Sequence, residues 1–310
     1  MNYNIYYVKQ SILKPYFSYI CHKKMIFLLI SIICSVSVGV LFKLIKTKTS
    51  INIFLISINY LVAFILSYLL FKPKITTEIF YHSGFLTMAL PLILLMPTVF
   101  LLVPKAIENS GIIKTDIAQR ISLIIPILCS FWLFGEIVPN LKIFALIIGF
   151  LSIFLILSKP DQSKNSLYLI LVFFGYGIAD VLYKKIALFT RFPYTTMLFY
   201  IFGGCMVFSL VLIFSRFKSF KSEYQPKSWL YGILLGSFNF CNIFFYLKAH
   251  QAFKETPTTV FAGMNFGVIV LGTLIGYFFF KEKLTKNNVL GLIMAILAVS
   301  LIVISDRIYD

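Results

Sequence analysis

The sequence predicts an all-α integral membrane protein with ten transmembrane helices in two inverted five-helix repeats. Three observations predict it. Of the 310 residues, 60% are hydrophobic and only 13% charged, too few charges to cover a soluble domain of this length. Apolar runs of about 18 residues or more recur along the chain, the length that crosses the hydrocarbon core as a helix. Continuous runs fit helices rather than the alternating pattern of a barrel. Finally, a shift of 146 positions, the offset from Glu136 to Glu282, lays residues 112–158 on 258–304 without a gap. Phe134 then meets Phe280, Leu146 and Ile147 meet Leu292 and Ile293, and Leu155 and Ile156 meet Leu301 and Ile302. Matching aliphatic residues are cheap in a membrane protein. A glutamate at the same step after two Phe-rich spans is more specific.

Taken in order, residues 1–24 carry Lys9, Lys14, Lys23 and Lys24 among several tyrosines. They read as a basic interfacial arm, because no small-residue cleavage site follows as in a signal peptide. Met25, where the first span begins, is a second candidate start. The first repeat, 25–158, holds spans near 25–45, 51–71, 82–104, 112–135 and 140–158. The second, 166–305, holds spans near 166–184, 193–215, 228–248, 257–280 and 286–305. Thr47–Ser50, Gly135–Pro139 and Lys281–Thr285 leave space only for tight hairpins. The longest connector, Arg216–Lys227, is too short for an extramembrane domain. The correspondence extends backwards: Val40-Leu41-Phe42-Lys43 matches Val181-Leu182-Tyr183-Lys184, and Lys105-Ala106 matches Lys248-Ala249. An odd number of spans per repeat places the second unit upside down, the construction of alternating-access carriers. Lysines and arginines fall almost evenly on the two sides, so the positive-inside rule gives no orientation.

The net charge of +17 is read as lysines beside lipid head groups, since no soluble segment could hold nucleic acid. Cys21, Cys34, Cys129, Cys205 and Cys241 show no CxxC spacing and read as small apolar residues rather than metal ligands or disulfides.

The Phe134-Gly135-Glu136 and Phe280-Lys281-Glu282 steps, each followed by a Gly-containing span (Gly149, Gly291), resemble those of the drug/metabolite transporter superfamily in its ten-span EamA form. Phe42-Lys43 closing span 1 and Asn59-Tyr60 in span 2 add to the likeness. The resemblance covers residues 25–305. It implies a secondary carrier with both termini cytoplasmic, moving small metabolites or toxic compounds without ATP. Its interior departs from symmetry: Arg120 and Pro126 stand where the second repeat has Phe266 and Gly272.

Polar side chains inside lipid are costly unless they face a cavity or a partner. Asn239, Asn242 and Tyr246 recur at spacings of three and four and so share one helical face. Asn265 and its repeat-equivalent Gln119 are amides related by the pseudo-twofold, suited to a midplane site; hydrogen bonding between helices is the competing reading. Arg120 is a candidate for an anionic substrate group, or for a local ion pair with Asp116 one turn earlier. Asp180 faces Gly39 across the repeats and breaks the symmetry. It is the candidate for taking up a coupling proton, with a pairing to Lys184 one turn later as the alternative. Lys43, Lys105, Lys184 and Lys248 end spans pairwise at opposite faces. They read as snorkelling lysines or as gates attracting an anion. Glu136 and Glu282 read as turn caps paired with a basic residue. Gly232/Gly236, Gly263/Gly267 and Gly272/Gly276 are close-packing pairs.

The function expected is secondary transport of small metabolites or drug-like compounds across the cytoplasmic membrane by alternating access, coupled to protons or running as exchange. A membrane-embedded enzyme acting on a lipid-linked substrate, or a non-transporting protein, is the alternative. The enzyme reading lacks its parts: His22, His82 and His250 are isolated, and neither HExxH nor a Walker A sequence occurs. No catalytic residue, metal or cofactor is expected. The partners expected are a small-molecule substrate and the lipid bilayer, with no nucleic acid; a homodimer is left open.

Overall fold

Inside a bilayer a helix satisfies its own backbone, and every apolar stretch follows that constraint. The computed structural model describes residues 25–42, 44, 49–110, 112–157, 167–215, 226–281 and 284–309. Their helices are α1 (Met25–Phe42), α2 (Thr49–Phe71), α3 (Ser83–Ser110), α4 (Ile112–Ile121), α5 (Ile124–Trp132) and α6 (Asn140–Leu157). They continue as α7 (Leu167–Leu188), α8 (Tyr194–Ser215), α9 (Lys227–Ala252), α10 (Pro257–Phe280) and α11 (Lys286–Tyr309). Eight are long and apolar enough to cross a membrane, and Ile117–Trp132 and Asn140–Ile156 form two shorter apolar stretches. The protein is an all-α membrane protein.

Two departures from the expected spans involve proline, in opposite ways. Span 4 is not one helix: it is interrupted at Ser122 and Leu123 between α4 and α5. Pro126 has no N–H to offer Ser122, four residues earlier. The Ser122 carbonyl instead accepts from Ile125 N–H at 3.0 Å, and Arg120 from Leu123 N–H at 3.2 Å, both three-residue closures that break the α-helical register. The equivalent helix α10, with Gly272 in place of Pro126, runs unbroken. Conversely α3 passes through Pro91, Pro97 and Pro104 and continues to Ser110, beyond the expected end near 104. There the carbonyl of Ile93, freed by Pro97, faces the Cys205 thiol at 3.8 Å on α8.

Close crossings are built on glycine. A Cβ on Gly236 would lie 2.8 Å from the Asn59 carbonyl oxygen of α2, and one on Gly232 would lie 2.7 Å from Ile58. Gly263 and Gly267 receive Leu28 and Ile32 of α1 in the same way, whereas Gly272 has open space. Two of the three glycine pairs are therefore crossing points. Contacts also come in couples when the first five spans are exchanged for the last five. α2 packs on α9 as α8 packs on α3, while α6 against α11 and α2 against α8 map onto themselves.

Candidate functional site

Asp180 of α7 accepts a hydrogen bond from the Tyr246 hydroxyl of α9 at 3.0 Å and lies within electrostatic reach of Arg120. This cluster draws on both halves of the chain, because α4 and α9 both pack on α7. Arg120 occupies the last turn of α4, immediately before the break. Buried aromatics lie on the Asp180 side: the Tyr183 ring meets that of Tyr246 edge-on at 6.1 Å, and Tyr183 donates to the Met96 sulfur at 3.1 Å. Tyr60 of α2 is fully buried, packs on Phe100 and stands within electrostatic range of Tyr183 and Tyr176. A carboxylate, a guanidinium and several phenols thus meet in an otherwise apolar core.

The remaining expected residues divide. Asn242 accepts from Ser31 of α1 at 2.8 Å, so its amide is tied to the first repeat and away from Asp180. Four residues turn a helix by about 40° beyond one full circle, enough for Asn242 and Tyr246 to lean toward different neighbours. Asn265 donates to the Phe261 carbonyl of its own helix at 3.1 Å. Gln119 is half-buried on α4 beside Arg120. Asn239 is buried with its amide nitrogen lacking a hydrogen-bond partner among the described residues, as do both side-chain atoms of Asn59. The side chain of Asp116 and all of Lys43 and Glu282 lie outside the described residues.

Among the lysines, Lys184 does not pair with Asp180 and does not snorkel. It is fully buried and donates to the carbonyls of His250 (3.4 Å), Phe253 (3.4 Å) and Lys254 (2.9 Å). An ammonium there satisfies carbonyls that the end of α9 leaves without helical partners and complements its dipole. It also lies 5.8 Å from the Phe134 ring centre. Lys248 sits among the rings of Phe27, Phe244 and Phe245 at 4.6–5.9 Å, a cation–π environment that joins α1 to α9. Lys105 is half-buried near the end of α3.

The Phe-Gly-Glu step turns out to be a staple between repeats. Gly135 takes the left-handed conformation (φ 65°) and its equivalent Lys281 does the same (φ 53°), so both steps are helix-ending reversals. The reversal sends Glu136 back into the protein, where one carboxylate oxygen accepts from Thr258 N–H (2.8 Å) and the Thr258 hydroxyl (2.6 Å). The first turn of α10 has unpaired N–H groups and the positive end of its dipole, so a carboxylate suits it. The other oxygen pairs with Lys142 at 3.2 Å, and Lys142 reaches Asp306 of α11 at 2.6 Å. Thr259 completes the network by donating to Asp306. Sequence reasoning missed Lys142, Thr258, Thr259 and Asp306. The signal of Lys142 and Asp306, a charge at the first or last turn of an apolar span, is the same one that snorkelling residues give, and the two threonines carry none.

Comparison with other proteins fits this architecture. Residues 164–304 match the model of the EamA-like transporter family. A Haemophilus influenzae protein, described only as uncharacterized, is 39% identical over 292 residues, covering 91% of this chain and 98% of that protein. A crystal structure of another protein superposes with a TM-score of 0.66, covering 93% of this chain and 99% of the other; at 11% identity the likeness is one of fold alone. The fold and the family match define a multi-pass membrane transporter of small molecules. The chain belongs to the EamA-like transporter family, within the drug/metabolite transporter superfamily.

Proposed function

We propose that this protein is a secondary carrier of the cytoplasmic membrane that works by alternating access, with residues 25–158 and 166–305 as inverted repeats. Asp180 carries the coupling proton, and Arg120 meets the anionic group of the substrate. The observation that carries the reading is the Asp180–Tyr246 bond within reach of Arg120, beside the interruption of span 4. Carriers of this construction hold substrate near the midplane at interrupted helices, where unwound backbone and helix ends offer polar groups without the cost of lipid exposure. An acid that can be neutralised next to a fixed cation lets proton binding change the charge offered to a substrate. Gln119, Asn239 and Asn265 supply donors and acceptors around it, while Asn242 joins α9 to α1. Lys248 at one face and Lys43 and Lys105 at the other serve as gates, while Lys184, fully buried on the carbonyls at the end of α9, anchors that helix end instead.

A thermal-shift screen of purified protein against amino acids, nucleotides, sugars and drugs identifies a ligand, because binding to the folded state raises the melting temperature. Uptake of that ligand into sealed proteoliposomes under an imposed pH gradient then tests the mechanism. Asp180→Asn is expected to abolish gradient-driven accumulation, and Arg120→Gln to weaken binding. Accumulation by Asp180→Asn that still follows the pH gradient would remove Asp180 from coupling.

A further inference from the structure

The seam between α7 and α9 carries ionisable groups at successive turns toward the face where both helices end. The innermost rung is Asp180, bonded to Tyr246. One turn outward is His250, four residues after Tyr246, with its ring centre 4.6 Å from that of Tyr246. Lys184, four residues after Asp180, donates to the His250 carbonyl at 3.4 Å. Beyond them lie Lys254 and Glu255, exposed and paired with each other at 3.4 Å. His250 is the unusual member. It is fully buried, yet neither ring nitrogen has a hydrogen-bond partner among the described residues. Its other ring neighbour, Phe261 of α10 at 4.7 Å, offers no polar group. A polar ring buried without partners costs stability, which a purely structural position would avoid.

We infer that His250 is a proton relay between Asp180 and the membrane face at which α7 and α9 end. This rests on the proposal that Asp180 is the coupling acid. The transfer balances as one proton in and one out. His250 takes a proton at its free nitrogen from the Lys184 side and releases one from the other nitrogen to the Tyr246 oxygen. Tyr246 passes its own hydroxyl proton to Asp180 along the existing bond, and the reverse order empties the acid. Neither nitrogen is tied by a hydrogen bond among the described residues, so a rotation of the ring toward either partner breaks no existing bond. An imidazole, which can hold a proton on one nitrogen while releasing one from the other, suits the task. The charged and titratable groups around the route are Tyr246 and Lys184 at His250, Arg120 and Tyr183 at Asp180, Tyr60 and Tyr176 behind Tyr183, and Glu136 and Glu255 beyond Lys184. Arg120 and Lys184 are both cationic, so a proton on His250 is stabilised chiefly while Asp180 is ionised. The relay therefore delivers to an empty acid.

The experiment is time-resolved infrared spectroscopy of the full-length protein in lipid after a pH jump, following the carboxylic-acid C=O band that Asp180→Asn removes. His250→Gln keeps the polarity and volume but not the titration. It is expected to slow the change of that band about a hundredfold, the lower end of what a positioned proton-transfer group contributes, while leaving the band itself in place. His250→Ala is expected to slow it likewise, and added free imidazole to restore the rate. An unchanged rate in both variants, with the band present, overturns the relay and leaves Asp180 as the coupling acid. If Asp180→Asn removes no pH-dependent band, the coupling proposal itself fails, and the relay with it.

Discussion

At the scale of single residues, the sharpest contrast is between charges that hold the protein together and charges that stand ready to change. Lys142 belongs to the first kind. It is 1% exposed and shared between Glu136 and Asp306. Replacing such a group strands two buried carboxylates, and breaking a buried pair from one side costs about 3–5 kcal/mol. Lys142→Met is therefore expected to lower the melting temperature sharply, with Lys142→Met/Asp306→Leu recovering part of the loss because it removes one of the stranded charges. Thermal denaturation in detergent checks both. Asp180 is proposed to be of the second kind, and it, its cation and its phenol come from three different helices (α7, α4 and α9). Arg120 and Asp180 were visible in the sequence as charges out of place within apolar runs. Their meeting was not, because 60 residues separate them and only the packing of α4 on α7 brings them together.

At the scale of elements, span 4 and its counterpart α10 show what one proline does. Pro126 removes a backbone donor and costs about 3 kcal/mol in a helix interior, yet it creates the break beside Arg120. Pro126→Ala is expected to raise the melting temperature and to reduce transport of an identified substrate, a pairing of stability gained and activity lost that plain destabilisation would not produce. The glycines make the opposite case. A Cβ on Gly149 would lie 2.1 Å from the tip of the Phe266 ring, and Phe266 is fully buried, so the ring has no solvent to retreat into. Overpacking of this sort costs about 1–3 kcal/mol. Gly149→Ala should lower the melting temperature, and Gly149→Ala/Phe266→Leu should recover most of it. Additive losses in the double variant would show that the contact is not the cause. Phe266 is the repeat-equivalent of Arg120, so the position that fills a glycine notch in one repeat presents a cation in the other.

At the scale of the whole molecule, the helices alternate in direction, and long-range contacts join ends that belong to one face. Glu136 meets Thr258, and Lys184 meets Lys254 at the face where α1 begins. Asn288 donates to the Ile156 carbonyl at the other. That arrangement predicts that Lys74→Cys and Lys281→Cys, each made in a cysteine-free background, react with a membrane-impermeant thiol reagent from opposite sides of sealed vesicles. Labelling of both from the same side would contradict ten alternating crossings. The two staples that join the repeats at the α1 face, Glu136 to Thr258 and Lys142 to Asp306, are bonds between halves. In the alternating-access cycle proposed above, opening at that face would break these bonds.

The sequence by itself determined the membrane class, the all-α character and the family, because each depends on local composition or on short motifs along the chain. The tight turn at Gly135 was legible for the same reason, since backbone chemistry acts on its immediate neighbours, whereas the break before Pro126 is not apparent in the sequence, where 112–135 reads as one span. Only the tertiary structure decided which polar groups meet. In the sequence, Lys184 could pair with Asp180 or reach the surface. In the fold it does neither, because the carbonyls at the end of α9 arrive beside it and Tyr246 takes the carboxylate. Buried polar groups take whatever partner the packing brings within about 3 Å, and that packing is set by side chains distant in the chain.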